Sequence, residues 1–463
     1  MTSKIQSGQA RCPGDTVQEI IHRDGRYVPP VLAEESYTFL GDTDIPFERY
    51  TSRLFFDLEM EKLWPRVWQW VCREEHIPEP GDYITYDIGV HSFLVVRTEA
   101  REIRAYYNSC LHRGTKLRPS ESQGYAQSLR CPYHGWTWTL EGKLKEIPCR
   151  WDFPHVEEEQ FRLPEVRVAV WGGFVFINMD PEAPDLETFM EVLPDHFKDW
   201  NMEKRYVELH IEKELPCNWK TALEAFLESY HVLETHPQLL QGVGDANVQY
   251  DTYGDHVSRF VAALGVSSPH LEKPLSEQEL VDMMLVGDRS VLTDELTLGE
   301  GETARVVMAR FLRKSLAEKY RTNLEGYSDS EVIDTIEYHL FPNMVLFPGI
   351  SLPMVYRFRP LDNDPDRCLF DLLFLRPVPD DGSAPEPAEP VRLKVADSYT
   401  SVEGMDRDFG AVYDQDTNNL RGQQEGFKAA KKRGQTLGNY QESRIRHFHL
   451  TLDKYLAREA SGA

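Results

Sequence analysis

Three patterns of apolar and polar positions follow one another along the chain. Residues 1–65 are mixed and partly helical, with "FERYTSRLFFDLEMEKLWPRVW" running on from Phe47. From about Tyr83 the pattern changes to short β signals. "YITYDIG", "HSFLVVRT" and "IRAYYN" are β-rich segments separated by polar or glycine-containing turns. "WTWTLEGKL" sets Trp136, Trp138 and Leu140 against Thr137 and Thr139 and turns at Glu141-Gly142. These segments predict a small all-β unit over 66–170. Beyond it the chain reads as α+β. "NWKTALEAFLESYHVLETHP" (218–237) predicts one helix ending before Pro237, because Trp219, Leu223, Phe226, Tyr230 and Leu233 follow helical spacing. "ETARVVMARFLRKSLAEKYR" predicts a second helix. "MVLFPG", "MVYRFRPL" and "RCLFDLLFLRP" predict antiparallel strands. "PVPDDGSAPEPAEP" (377–390) predicts a surface loop, and a long helical region follows.

Length and charge narrow this picture. A chain of 463 residues suggests two or three folding units, and a hydrophobic fraction of 41% is enough for a sizeable core. Lys plus Arg number 51 against 76 Asp plus Glu, a formal net charge of −25. Such a surface repels nucleic acid and anionic membranes and suits a partner with a basic docking face. The first twenty residues contain no apolar signal-like core, and the most apolar run, "VAVWGGFVFINM" from Val168, is too short to span a bilayer. A soluble, cytoplasmic protein without nucleic-acid or membrane partners is the expectation. Seven cysteines without disulfide-framework spacing favour reduced thiols and metal ligation.

Candidate chemistry begins in the loops of the β unit. Two short pairs occur there, Cys110-x-His112 and Cys131-x-x-His134, with residues 113–130 between them. Zinc is one reading of paired Cys and His, but structural zinc sites usually pair like ligands. In a mixed-ligand two-iron cluster, two thiolates hold one iron and two imidazoles hold the other. The mixed pairs fit that division: Cys110 and Cys131 on one iron, His112 and His134 on the other. Trp136 and Trp138 serve either as an apolar shell around it or as ordinary β-core residues. Cys149 has no paired histidine and reads as bland.

A cluster moves single electrons and does no bond chemistry, so a second site is needed. The candidate is Glu228-x-x-His231-x₄-His236. On a helix, Glu228 and His231 share a face, and His236 falls beside the helix-breaking Pro237. Two histidines and one carboxylate with open positions opposite form the facial triad of non-heme iron(II) oxygenases. Glu228 is near enough to be the carboxylate, or it orients a ligand instead. In "DFGAVYDQDTNNLRGQQEGF" the apolar stripe Phe409, Val412, Tyr413, Leu420 and Phe427 contains Asp416, while Asp414 points away. A carboxylate facing a core needs a partner: a metal or a buried arginine. The other histidines, such as His22, His76, His256, His339, His447 and His449, lack partner spacing and read as surface or satisfied structural residues.

Taken together, "CLHRG…CPYHGW" and "NWKTALEAFLESYH…TH" resemble the Rieske non-heme iron ring-hydroxylating oxygenases, specifically their large (α) subunit. The resemblance covers most of the chain. It implies an α+β fold in which an all-β Rieske domain (66–170) is inserted into a helix-grip catalytic domain made of 1–65 and 171–463. It implies one [2Fe-2S] cluster on Cys110, His112, Cys131 and His134, and one iron(II) on His231, His236 and Asp416. Glu228 matches the family's acidic bridge between a cluster histidine of one subunit and an iron histidine of its neighbour, so it is implied as a bridge rather than a ligand. The expected assembly is a head-to-tail homotrimer, with or without a small β subunit. Electrons from NAD(P)H arrive through a reductase, with or without a ferredoxin, and dioxygen is the co-substrate. The implied path runs through His134, Glu228 and His231. Ring dihydroxylation, monohydroxylation and O- or N-demethylation are all compatible with such a site. Phe226, Leu227, Leu240 and Phe347 suggest an apolar, aromatic or polycyclic substrate, although each reads equally as core. Two departures stand out. Ala225 replaces an asparagine common in the family, and the 18 residues between the two Cys/His pairs are slightly more than usual, which affects only the loop; "DQD" also offers two aspartates, and the stripe and the motif agree on the second. Rival readings are a pure Rieske electron carrier, which needs no second site, and a zinc-stabilised binding protein.

Overall fold

The computed structural model describes residues 6–284, 296 and 298–458. The β unit is built on a seven-stranded antiparallel sheet. Its strands lie in the order Gln69–Arg73, Phe174–Asn178, Glu165–Trp171, Glu102–Tyr107, His91–Glu99, Asp82–Ile88, Gln123–Tyr125. A smaller three-stranded sheet, Leu129–Arg130, Thr137–Trp138 and Leu144–Glu146, stands beside it. The sheet runs past residue 170 because the apolar run from Val168 folds back on itself. Trp171 pairs with Phe174 across a two-residue turn, and Gly172 and Gly173 both adopt positive φ, 57° and 79°. Side chains rarely adopt two successive left-handed residues, so a Gly-Gly pair suits this hairpin.

The second unit is an eight-stranded sheet in the order Gln249–Tyr253, Val257–Ala262, Thr335–Leu340, Met344–Leu346, Met354–Pro360, Cys368–Pro377, Arg205–Leu215, Val391–Leu393. Every pairing is antiparallel except the last, where Val391–Leu393 lies parallel to Arg205–Leu215. Helices Ala304–Tyr320, Arg407–Ala429 and Ser443–Leu456 accompany it. The N-terminal residues are tied to this second unit. Gln18 donates to Gln249 at 2.7 Å, the Ser36 amide to Asp251 at 2.6 Å, and the Tyr50 hydroxyl to Glu224 at 2.8 Å. The architecture is the α+β arrangement expected, with the β unit inserted between parts of the larger one.

The segment 218–237 is not one helix. It forms Trp219–Glu224, then irregular backbone, then Val232–Thr235. Tyr230 is 54% exposed and Leu233 36% exposed, although helical spacing put both on the buried face. The break has a local cause. The Glu228 carboxylate accepts the amides of Tyr230 and His231, and the Ser229 amide goes to the Tyr250 hydroxyl at 3.0 Å. Side-chain acceptors thus take amides that a continuous helix would use, a competition that acidic and hydroxyl groups commonly win at helix ends.

Candidate functional site

The two Cys/His loops fold alike. In each, the cysteine amide donates to the carbonyl five residues on, Cys110 to Thr115 at 2.9 Å and Cys131 to Trp136 at 2.8 Å. The cysteine carbonyl in turn accepts from the glycine four residues on, Gly114 at 2.9 Å and Gly135 at 3.2 Å. Both glycines are left-handed, φ 77° and 75°, a conformation that glycine adopts without strain. The folded loops bring Cys110 and Cys131 within hydrogen-bonding reach of each other, both buried. The His112 and His134 rings lie 4.7 Å apart. His112 stacks on Trp136 at 5.0 Å and 2°, Phe153 stands edge-on to both rings at 5.7 and 5.3 Å, and Phe161 packs on Trp136 at 5.7 Å. Burial raises the Cys110 thiol above its usual range, against hydrogen bonds from nearby amides. His112 Nδ1 is buried without a hydrogen-bond partner. An orphaned imidazole nitrogen beside two buried thiols and a second imidazole is a donor set that a two-iron cluster fits. Trp136 therefore lies against one imidazole of this donor set.

The second group is assembled from distant segments. Asp416 lies on the helix Arg407–Ala429, whose first turn is capped by the Asp406 side chain. Tyr413, Asp416, Leu420, Gln424 and Phe427 form its buried face. Asp414 points elsewhere, to Ser398 and the Tyr399 amide. His236 Nε2 is 2.7 Å from Asp416 Oδ1 and His231 Nε2 is 3.4 Å from it. His231, His236 and Asp416 place one ligand atom each within 4.8 Å of the others. The far nitrogens are held as well. His231 Nδ1 meets Glu228 Oε1 at 2.7 Å, and His236 Nδ1 meets Gln415 Oε1 at 2.8 Å. Glu228 thus sits behind His231. Gln415, also bound by Gln238 at 2.7 Å, was not singled out by the sequence; its only signal is its place beside Asp416.

These contacts fix the electrostatics. An imidazole whose Nδ1–H donates to an oxygen turns its Nε2 lone pair outward. Here two such lone pairs and a carboxylate converge on one point, and only a cation can satisfy all three. Asp416 is 7% exposed, and the ion partners of its carboxylate among the described residues are the two histidines. Without metal, a proton must fill this role. Burial disfavours charge on His231, but Glu228 and Asp416 outweigh it and lift its pKa to about 10. Burial likewise opposes charge on Asp416, yet hydrogen bonds from His231 and His236 hold its carboxyl below the usual range. The donor set suits iron(II): two imidazoles and one carboxylate.

A second His/carboxylate group, His210, Glu212 and Asp371, meets the same distance criterion. Its His210 and Glu212 line a cavity of about 810 Å³ between the two sheets. Arginines already occupy it. Arg357 grips Asp371 through two bonds of 2.8 and 3.0 Å, and Arg392 reaches Glu212 at 3.0 Å. Arg357 also donates to the carbonyls of Trp70 and Val71 in the other sheet. These cations leave no charge deficit for a metal, and the group joins the two units.

Comparison with known proteins gives the family of both units. Residues 195–458 match the family of ring-hydroxylating α subunits (catalytic domain), and residues 67–157 match the Rieske [2Fe-2S] domain. The chain belongs to the ring-hydroxylating α-subunit family. It is 30% identical over 283 residues to the biphenyl 2,3-dioxygenase α subunit of Rhodococcus jostii, covering 57% of this chain and 60% of that protein. It is 31% identical over 217 residues to the carnitine monooxygenase oxygenase subunit of Escherichia coli K12, covering 45% and 55%. The chain spans little more than half the length of these relatives. Among solved family folds, naphthalene 1,2-dioxygenase from Rhodococcus sp. bound to indole aligns at 21% identity with a TM-score of 0.59, covering 90% of this chain and 95% of that one. A quaternary ammonium Rieske monooxygenase in complex with L-carnitine aligns at 18% identity with a TM-score of 0.62, covering 91% and 99%. The two iron centres expected of this family have their counterparts here in the donor groups just described.

Proposed function

We propose that this chain is the oxygenase component of a multicomponent Rieske system that hydroxylates an apolar, aromatic or polycyclic substrate. The observation that carries the reading is the pair of donor sets in one chain, one of two thiols and two imidazoles, the other of two imidazoles and a carboxylate with no other cationic partner among the described residues. Cys110, Cys131, His112 and His134 would hold the cluster, and His231, His236 and Asp416 the iron. Loaded, the cluster supplies one-electron transfer and the iron(II) supplies activation of dioxygen.

The chain's own residues prepare both sites. Glu228 and Gln415 hold the Nδ1 protons of His231 and His236, which fixes tautomer and ring orientation. Trp136, Phe153 and Phe161 exclude water from one side of His112. Phe226, Tyr356 and Tyr413 lie near one another in a buried aromatic cluster, and Tyr413 precedes Asp416 by one turn of the same helix. Such faces suit flat apolar substrates. The proposed division is 1–65, 66–170 and 171–463, with one strand of the β unit's sheet, Phe174–Asn178, contributed from beyond the second boundary. A head-to-tail trimer bridged by Glu228, a reductase partner using NAD(P)H, and a role in aromatic catabolism complete the reading. A cytoplasmic location fits seven unpaired cysteines. No described helix is long and apolar enough to cross a membrane.

The test is anaerobic loading with iron followed by metal analysis, visible spectra and low-temperature EPR. About three irons per chain and a reduced signal of low average g support the proposal. Bound zinc in a colourless protein overturns it, and two irons with no uptake of a third leave an electron carrier. Dioxygen uptake is then compared between arenes and quaternary ammonium compounds, since aromatic faces also receive such cations. Uptake with the latter alone would move the reading to demethylating monooxygenation.

A further inference from the structure

We infer that Tyr250 and Arg444 are positioning residues for Glu228, clamping the peptide groups on either side of it. This rests on the reading of Glu228 as the bridging acid. The Ser229 amide donates to the Tyr250 hydroxyl at 3.0 Å. The Leu227 carbonyl accepts from Arg444 Nη1 at 3.2 Å. The two clamps come from remote elements, Tyr250 from the strand Gln249–Tyr253 and Arg444 from the helix Ser443–Leu456. Both are buried, 1% and 0% exposed.

Each clamp is itself fixed. The Tyr250 ring packs edge-on against Tyr440 at 5.3 Å and Phe260 at 6.2 Å. Arg444 is held by Glu337 at 2.7 Å and by the Ser258 hydroxyl at 3.1 Å. Between them the Glu228 carboxylate accepts the amides of Tyr230 and His231 and meets His231 Nδ1 at 2.7 Å. No regular helix passes through residues 225–231: local bonds hold the Glu228 carboxylate, and the two clamps hold the peptide groups that flank it from outside the segment. Burial, with the nearby Glu228 charge, keeps the Tyr250 hydroxyl well above the usual tyrosine range, so it stays neutral at every working pH.

The test uses the full, iron-loaded protein and two readouts. One is amide exchange across Ser229–His231. The other is the single-turnover rate at which the reduced cluster loses its electron to the iron site. Tyr250→Phe keeps the ring and removes the clamp. It is expected to speed exchange at these amides and slow transfer, each by about tenfold, as loss of one buried hydrogen bond allows. Iron content should not change. Arg444→Lys, which keeps a cation beside Glu337, should act in the same direction. Tyr37→Phe removes a nearby hydroxyl that bonds the Asn439 carbonyl and neither Tyr250 nor the Glu228 peptide, and should change neither readout. Glu228→Gln separates the two readings. If it leaves transfer at the wild-type rate, the bridge reading fails, while exchange still judges the clamp. If it slows transfer and Tyr250→Phe does not, or if Tyr250→Phe leaves exchange unchanged, the positioning inference is overturned.

Discussion

Two groups in this molecule hold the same kinds of residues, histidine and carboxylate at ligand distances, yet they do different work. In one, His231, His236 and Asp416 meet with no arginine on the carboxylate among the described residues. In the other, Asp371 is fully buried under Arg357 with Arg359 at 3.5 Å, and His210 stands 3.4 Å away. Burial works against charge on Asp371, but Arg357 and Arg359 outweigh it and hold its carboxyl well below the usual range. The difference teaches that ligand types and distances do not identify a metal site; an unbalanced negative charge does. A buried ion costs about several kcal/mol unless it is matched. The first group is matched by a proton or a metal, the second by guanidinium.

The comparison breaks most sharply at the carboxylates. Asp416→Ala should abolish iron binding at the second site and dioxygen uptake with it, while the visible spectrum of the cluster persists. Asp371→Ala should leave iron content intact and instead lower stability by about 3–5 kcal/mol, because it strands Arg357 in the core. Denaturant titration beside metal analysis separates the two, and loss of iron from the Asp371 variant would refute the contrast. Next in size is Gln415→Leu. It leaves His236 without its acceptor and should weaken iron affinity by about 10- to 100-fold, measured by competition with a chelator.

The remaining contrast is a difference in pH response, read on metal-free protein. The folded pKa of His231, about 10, lies above the unfolded value of about 6.5. Its contribution is therefore full below pH 6.5 and lost as pH rises toward 10. His76, stacked on His210, behaves oppositely. Burial, with His210 and nearby arginines, lowers it to about 3. Its contribution is intact above pH 6.5 and lost as pH falls toward 3. Urea midpoints across pH should show the alkaline loss vanish in His231→Gln and the acid loss shrink in His76→Leu.

Much of this was legible from the amino-acid order, but unevenly. The Cys110/His112 and Cys131/His134 loops are short-range objects, closed by glycines four residues beyond each cysteine, so their spacing alone announces them. Asp416 was legible because only one face of its helix is buried, and a polar residue on that face stands out. The break after Glu224 was not legible. Residues 217–224 are buried on every side and Phe226, Leu227 and Ser229 with them, so no alternation records which way the backbone turns. The chain by itself determined which residues carry donor atoms, the β and α+β halves, and the family. Tertiary structure alone decided that Gln415 stands behind His236 and that Arg357 claims Asp371. It also set the turn that aims Glu228 at His231. Gln415 reaches His236 across 179 residues, and Arg357 meets Asp371, 14 residues on, only because their two strands pair; local periodicity carries no record of which cation or acceptor will arrive.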